Sequence, residues 1–281
     1  MLKIENVQIA GWEAAIRGMR NPKNSWDRSD SVFIDESFCD DEDEFELALL
    51  CGGVAPIIKE NDHNLMMNLA KGGPVHAKYR RMITVYVDIT APLYWWKEFD
   101  TYKVGTVANS CSTMHKIADK EFTVDDFSHE HLDGVSRDMF YQNDRDQPYF
   151  FCSFEDILYI QIEALNRARN LYLETKTKPM KEEAKRAPLM KKYWWQMIQL
   201  LPSSYNQKRT VMLNYEVLAN MYKSRKNHKL DEWAEHTVPE RKQDPIADGY
   251  EFSQYINNRG FCDWIKTLPY SELITGEEVQ E

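Results

Sequence analysis

The chain has 281 residues, 43% of them hydrophobic, which is enough for one large domain or two small ones with a buried core. A formal net charge of −10 argues against broad contact with nucleic acid, because such contact requires a basic surface. The sequence has neither the run of about 20 apolar residues that spans a membrane nor the pattern of a secretory signal. We therefore expect a soluble, cytoplasmic protein.

The five cysteines are scattered without a CxxC pair, so their spacing predicts neither a zinc site nor a disulfide framework. We expect them to be reduced and mostly buried as small hydrophobic residues. The acidic surplus lies largely in Asp35–Glu46 and in the tail after Glu272. Runs of this kind usually form solvated faces.

The N-terminal part predicts a strand followed by short helices. Leu2–Ile9 alternates apolar and polar residues, as an edge strand does. Trp12–Arg20 has helical spacing, and residues 30–43 are predicted to be irregular. Two more short helices are predicted at Glu44–Leu50 and Asn61–Lys71, each stopped by a pair of glycines.

The strongest predicted strand is Met82–Ile89, along which β-branched residues alternate. Thr90 is the expected cap, and Pro92 a first-turn residue, of an aromatic helix that continues to Lys103. The small residues of Val104–Ser112 predict a loop that lets the backbone approach another group closely.

From Phe154 onward the pattern predicts only helices, after a charged insertion at residues 119–150 with its core at Thr123–Gln147. The expected helices are Glu155–Thr175, Lys181–Leu200 with a kink or restart at Pro188, Thr210–Arg225 and Tyr250–Leu268. This order predicts an α+β fold in which a small antiparallel or mixed sheet packs against long helices. We expect a single domain over residues 1–281.

A first block of the sequence resembles a known signature, R-H-R-x-x-S-x-N-x-x-S-x-R-Y. A strand runs into Ala91-Pro92 and an aromatic helix, and Thr101-Tyr102-Lys103 then falls where the signature has R-H-R. With one extra residue allowed, the Asn, second Ser and Tyr of the signature fall on Asn109, Ser112 and His115. The block is similar to the core of the flavin-dependent thymidylate synthases.

A second block agrees with the first. Thr210–Arg225 resembles that family's helix T-V-N-A-R-x-L-x-N-F-L-x-L-R, whose second Asn and final Arg correspond to Asn220 and Arg225. Further landmarks of the family match Ala14–Arg17, Leu201-Pro202 and Glu232-Trp233. On one helix, Asn214 and Asn220 would point roughly 120° apart, so we expect at least one of them to be structural.

The resemblance implies reductive methylation of dUMP to dTMP by a homotetramer that uses FAD, NADPH and methylenetetrahydrofolate. It implies catalytic roles for Ser112 and Arg225. The residues it implies for the pyrimidine nucleotide are Tyr102, Ser112, His115 and Arg225. Those implied for the cofactor are His76, Lys103, Asn109, Asn214 and Asn220. It implies no metal.

Each of these residues also has a structural interpretation. Arg225 and Lys103 can be exposed cations near helix ends, and Ser112 can be a small loop residue. Cys111 lacks an adjacent basic residue that would lower its thiol pKa, so we do not expect it to be a nucleophile. The runs Tyr94-Trp95-Trp96 and Tyr193-Trp194-Trp195 can stack on a flavin or belong to the core or a subunit interface.

The signature has lost several of its cations, since Thr101 and Met114 stand where the family has Arg. Each charge-assisted phosphate contact is worth about 1.5–3 kcal/mol. Nearby cations that can compensate are Lys78, Arg80, Arg81 and Lys97. Three interpretations remain open: an active flavoenzyme, a nucleotide- or flavin-binding protein of the same fold without methylation activity, and a soluble oligomeric scaffold or unrelated α+β protein.

Overall fold

A computed structural model describes residues 2–135, 138–141, 148–236 and 260–277. The chain forms two compact units. The sheet unit comprises Leu2–Thr90, Glu98–Asn109 and Arg209–Glu281, and the helical unit comprises Ala91–Lys97 and Ser110–Lys208. The prediction of a single domain with an insertion at residues 119–150 stays a prediction.

Eight strands occur in the described residues: β1 (Lys3–Ala10), β2 (Val32–Asp35), β3 (Val54–Ile57), β4 (Thr84–Pro92), β5 (Val107–Ser110), β6 (Asp138–Tyr141), β7 (Pro148–Cys152) and β8 (Asn206–Asn214). Four of them form a sheet in the order β1-β4-β8-β5, in which β1 and β4 are antiparallel. The pairs β2–β3 and β6–β7 are separate antiparallel ribbons.

Ten α-helices occur in the same residues: α1 (Trp12–Arg20), α2 (Glu42–Leu50), α3 (Glu60–Lys71), α4 (Leu93–Phe99), α5 (Thr113–Lys116), α6 (Phe154–Thr177), α7 (Arg186–Leu200), α8 (Tyr215–Arg225), α9 (Phe261–Lys266) and α10 (Glu272–Thr275). The predicted α+β class, with a small sheet and long helices, is confirmed. Pro188 lies in the first turn of α7, so the predicted restart is also confirmed.

The prediction that Thr210–Arg225 is one helix is wrong. Its first half, through Asn214, belongs to β8, which lies between β4 and β5 in the sheet. Val211 and Leu213 are fully buried, as expected for alternate residues of a strand whose one face packs on a core. The prediction that only helices follow Phe154 is therefore wrong as well.

Several predicted boundaries also change. Strand β4 continues through Ala91-Pro92, so Thr90 does not cap the following helix, and α4 ends at Phe99 instead of Lys103. Two segments predicted to be irregular or loops contain the short strands β2 and β5. The predicted helix Tyr250–Leu268 lies partly outside the described residues, and its described part, α9, begins directly after Gly260.

In the helical unit, α6 and α7 pack against each other and share a core with the preceding segment. The buried residues of that core are Ile117, Ala118, Phe122, Phe127, Leu158, Ile162, Leu165, Ala168 and Met197. Of the helices that the structure describes, none has the length and apolar character that crossing a bilayer would need.

In the sheet unit, a buried ion pair ties α1 to α3. Arg20 Nε donates to Asp62 Oδ1 at 2.6 Å, and the two side chains are only 4% and 0% exposed. The other carboxylate oxygen accepts hydrogen bonds at 2.7 Å from the hydroxyls of Ser29 and Ser31. Burial tends to raise the pKa of Asp62, but these hydrogen bonds outweigh burial and lower it. Asp62 is therefore held ionised in the folded protein.

We expect Asp62→Asn to lower the free energy of unfolding by about 3–5 kcal/mol, because Arg20 would stay buried without its counter-charge. The folded-state pKa lies below the unfolded value of about 4, so this stabilisation is present above that pH and is lost as the pH falls through the folded value. Denaturant unfolding at several pH values measures both effects.

The control for that experiment is Glu174→Gln, which breaks an exposed ion pair with Lys178 on α6. It should change the free energy of unfolding by less than about 1 kcal/mol. Equal losses in the two variants would contradict the proposed importance of the buried pair.

Candidate functional site

Arg225, the last residue of α8, lies at the centre of a cluster in the sheet unit. Its Nε donates a hydrogen bond to the Tyr102 hydroxyl at 3.0 Å, and its Nη1 donates to the Glu98 carboxylate. Its side chain is 18% exposed, so it remains accessible from solvent. Arg225 and Tyr102, which the two sequence blocks assign separately to the nucleotide, are therefore in direct contact.

Aromatic rings support the guanidinium of Arg225. Its Cζ lies 5.2 Å from the ring centroid of Trp233 and 5.7 Å from that of Tyr102, which are cation–π distances. Trp233 is fully buried and stacks on Phe99 with the ring centroids 6.4 Å apart and the planes 14° from parallel. The position of the charged group is thus fixed by packing as well as by hydrogen bonds.

His228 completes the Arg225 cluster, which we define as Glu98, Tyr102, Arg225, His228 and Trp233. The His228 Nδ1 accepts a hydrogen bond from the backbone N–H of Leu230 at 3.1 Å. Its Nε2 lies 3.2 Å from Glu98 Oε2 and, at 2.8 Å, within hydrogen-bonding distance of Arg225 Nη1. Glu98 Oε2 thus accepts a hydrogen bond from the guanidinium and lies beside the imidazole.

Asn214 lies at the junction of β8 and α8. Its Oδ1 accepts a hydrogen bond from the Val217 N–H at 3.0 Å and caps the helix. Because Asn214 precedes the helix, the expected angle of roughly 120° between it and Asn220 does not apply. The predicted close approach of a small-residue loop occurs here: Gly105 has a φ of +81°, and a Cβ on it would lie 3.0 Å from Asn214 Nδ2.

A second feature of the sheet unit is a cavity of about 400 Å³ beside α8, which we call the basic groove. The charged and amide side chains that line it are Lys71, Arg80, Glu216, Asn220, Lys223 and Lys226. Arg80 and Glu216 are 9% and 7% exposed, and Arg80 Nη1 lies 3.8 Å from Glu216 Oε2. Among the described residues, Arg80 Nε and Glu216 Oε2 have no hydrogen-bond partner, which favours a polar ligand in the groove.

The lysines give the groove an excess of positive charge. Lys71 and Lys223 are exposed and make no ion pair or hydrogen bond with any other described residue. Lys226 Nζ lies 3.3 Å from Glu277 and 5.3 Å from the ring centroid of Tyr222. Burial, followed by hydrogen bonds to two glutamates, raises the pKa of Tyr222 well above its ordinary value, so its hydroxyl stays protonated.

Of the residues predicted to bind a cofactor, Asn220 lines the basic groove and His76 does not. His76 is exposed on the turn that contributes Gly73 and Pro74 to the groove. Lys103 and Asn109 are exposed in the sheet unit, outside both the groove and the Arg225 cluster. Arg80, expected from the sequence as a compensating cation, does line the groove.

Ser112 and His115 belong to the helical unit. Ser112 Oγ accepts a hydrogen bond from the His115 N–H at 3.2 Å and caps α5, and both residues are exposed. Of the two aromatic runs, Trp95 and Trp96 are buried, in agreement with the core interpretation. Trp195 is 41% exposed.

The sequence analysis missed Glu98 and His228 as members of the Arg225 cluster. Helical spacing gave no usable signal, because Tyr102 lies beyond the end of α4 and His228 lies beyond the end of α8. It also missed Lys71 and Glu216, which are brought to the basic groove by tertiary packing.

No family model matches the sequence, and no curated protein matches it. The fold is similar to that of thymidylate synthase X from Helicobacter pylori with FAD and dUMP, with a TM-score of 0.49, 12% identity and coverage of 98% of this chain and 97% of the other. A second structure of that enzyme with FAD and dUMP gives a TM-score of 0.46, 12% identity and 98% coverage of both chains.

A third similar structure is the UMP/dUMP methylase PolB from Streptomyces cacaoi bound with 5-Br dUMP. Its TM-score is 0.43, its identity is 11%, and the match covers 98% of this chain and 94% of the other. At these scores and identities the similarity assigns this chain neither a family nor a ligand.

We expect Gly105→Ala to destabilise the protein by about 1–2 kcal/mol, because only glycine adopts a positive φ without a steric penalty. The added methyl group would also press on the Asn214 side chain that caps α8. Thermal unfolding measures the loss. Gly52→Ala is the control, since it has a φ of +76° but no atom within 4 Å of its Cβ position. An equal loss in both variants would show that the contact with Asn214 contributes nothing.

Proposed function

We propose that this chain binds a pyrimidine nucleotide at the Arg225 cluster and FAD in the basic groove. The proposed reaction is the reductive methylation of dUMP to dTMP with methylenetetrahydrofolate and NADPH. The observation that carries the proposal is the 3.0 Å contact between Tyr102 and Arg225, which are 123 positions apart in the sequence. Two blocks that resemble the same family independently assign these residues to one ligand, and the fold brings them together.

The Arg225 cluster has the chemistry that a nucleotide needs. A guanidinium can donate two parallel hydrogen bonds to phosphate or carbonyl oxygens. The half-buried Tyr102 ring adds an aromatic surface on which a base can stack. Because Arg225 is held by Trp233 and Tyr102, little side-chain entropy remains to be lost when it binds a ligand.

The basic groove fits a phosphate-bearing cofactor such as FAD. Lys71, Lys223 and Lys226 attract a pyrophosphate, and Asn220 offers an amide for further hydrogen bonds. Among the described residues, Glu216 Oε2 has no hydrogen-bond partner, so it can accept one from a ribityl or ribose hydroxyl. A cavity of about 400 Å³ suits only part of so large a molecule, and we propose the pyrophosphate portion. Bound FAD would supply the hydride chemistry.

The remaining parts of the proposal concern residues and assembly outside the sheet unit. Ser112 and His115 are proposed to contact the nucleotide, which their exposure permits. A homotetramer is proposed from the family resemblance, and a cytoplasmic location is proposed as well.

A second candidate function is nucleotide or flavin binding without methylation. Thr101 favours it, because this residue replaces a signature Arg and its hydroxyl donates to the Glu98 carbonyl at 2.7 Å instead of facing a ligand. Met114, which replaces another signature Arg, is 51% exposed and carries no charge.

The absorption spectrum of the purified protein tests the proposed cofactor. We expect added FAD to give a bound-flavin spectrum that shifts with dUMP, and we expect NADPH oxidation to depend on dUMP.

In the double variant Lys71→Ala/Lys223→Ala, FAD binding should weaken by about tenfold or more at low salt, because two phosphate-attracting charges are lost. Flavin binding without turnover would favour the second candidate function, and a protein that ignores FAD would exclude the proposed cofactor.

We expect Arg225→Ala to weaken dUMP binding by about tenfold to a hundredfold, the value of one or two charge-assisted hydrogen bonds. Isothermal calorimetry measures the affinity, and circular dichroism checks the fold. Arg209→Ala is the control, since Arg209 pairs with Asp100 at 2.8 Å and lies outside the Arg225 cluster. Unchanged dUMP affinity in Arg225→Ala would remove Arg225 from the site.

A further inference from the structure

Glu98 places one carboxylate oxygen beside two nitrogens of the Arg225 cluster. Arg225 Nη1 donates to Glu98 Oε2, and His228 Nε2 lies 3.2 Å from the same oxygen. The two nitrogens are 2.8 Å apart. Both nitrogens therefore lie within reach of the same carboxylate oxygen.

A ligand oxygen that accepts this hydrogen bond from Arg225 Nη1 must take the position of Glu98 Oε2. Phosphate and pyrimidine carbonyl oxygens are acceptors of the required kind. Glu98 and the ligand therefore compete for the same hydrogen bond. Glu98 also neutralises the charge of Arg225, which weakens the attraction of the cluster for an anion.

The surroundings of Glu98 allow its side chain to leave without disturbing the backbone. The side chain is 33% exposed, so water can solvate the carboxylate once it turns outward. Its backbone carbonyl stays fixed, because it accepts hydrogen bonds from the N–H of Thr101 at 3.1 Å and from the Thr101 hydroxyl at 2.7 Å. Arg225 meanwhile keeps its contacts with Tyr102 and Trp233.

We propose that Glu98 is an internal competitor of the nucleotide: its carboxylate occupies the position of a ligand oxygen, and it sets the affinity of the Arg225 cluster by having to be displaced. This inference rests on the proposed function, because it assumes that Arg225 binds an anionic nucleotide. It assigns to Glu98 a role opposite to that of a residue that merely positions Arg225. Removal of a positioning residue would weaken binding, whereas removal of a competitor strengthens it.

The test compares Glu98→Gln with the parent protein by calorimetric titration with dUMP. Gln keeps the size of the side chain but removes the charge. We expect dUMP to bind about tenfold more tightly, because it no longer has to displace a charge-assisted hydrogen bond from Arg225. Asp100→Asn is the matched control, because it removes one negative charge two residues away, from an ion pair with Arg209. At physiological ionic strength it should change the affinity by less than about twofold, since exposed charges are screened.

Unchanged or weaker dUMP binding by Glu98→Gln would overturn the proposal, and so would an equal gain in Asp100→Asn. If the parent protein and both variants bind no dUMP, the proposed nucleotide is wrong, and inorganic phosphate becomes the probe. Phosphate should then shift the His228 imidazole NMR signals at a lower concentration in Glu98→Gln than in the parent. If phosphate shifts these signals at the same concentration in both proteins, or shifts them in neither, the proposed competition by Glu98 is overturned as well.

Discussion

The hydrogen bond between Asn214 and the N–H of Val217 fixes the start of α8, the helix that carries Asn220 and Arg225. It ends a central strand of the sheet and starts α8 at the next residue. The backbone N–H of Tyr215 donates to the Ile83 carbonyl at 3.1 Å, so the first turn of the helix is also anchored to the segment before β4. A helix of eleven residues then carries Arg225 roughly 15 Å from that anchor. Asn220 and Arg225 are thus positioned by the same rigid element.

The two candidate binding features of the sheet unit differ in how their charge is balanced. In the Arg225 cluster the positive charge of the guanidinium is balanced by Glu98. In the basic groove, Lys71 and Lys223 have no counter-charge within the described residues, so the groove attracts anions through its field. Lys223 and Arg225, two residues apart on α8, thus belong one to each of the two features.

The sequence predicted secondary structure correctly where the local signal was strong. Helix α1 has the predicted bounds, because its apolar spacing and basic last turn agree. The segment Thr210–Asn214 was misassigned because five residues are too few to separate a buried strand from a helix by periodicity. Motif comparison selected Arg225 and Tyr102, which are in contact, but it did not select Glu98, whose contact with Arg225 joins positions 127 apart in the chain. The basic groove could not be predicted for the same reason, since its lining residues are far apart in the sequence.

The position of β8 has a consequence for how the protein is made. β8 separates β4 from β5 in the sheet, although more than half of the chain has been synthesised before Asn206 appears. A ribosome-bound chain therefore exposes the unpaired backbone groups of β4 on the side that β8 later covers. Such long-range strand insertion is slow compared with helix formation. The strand edge of β4 that faces β8 therefore stays open to wrong pairing until Asn214 has left the ribosome.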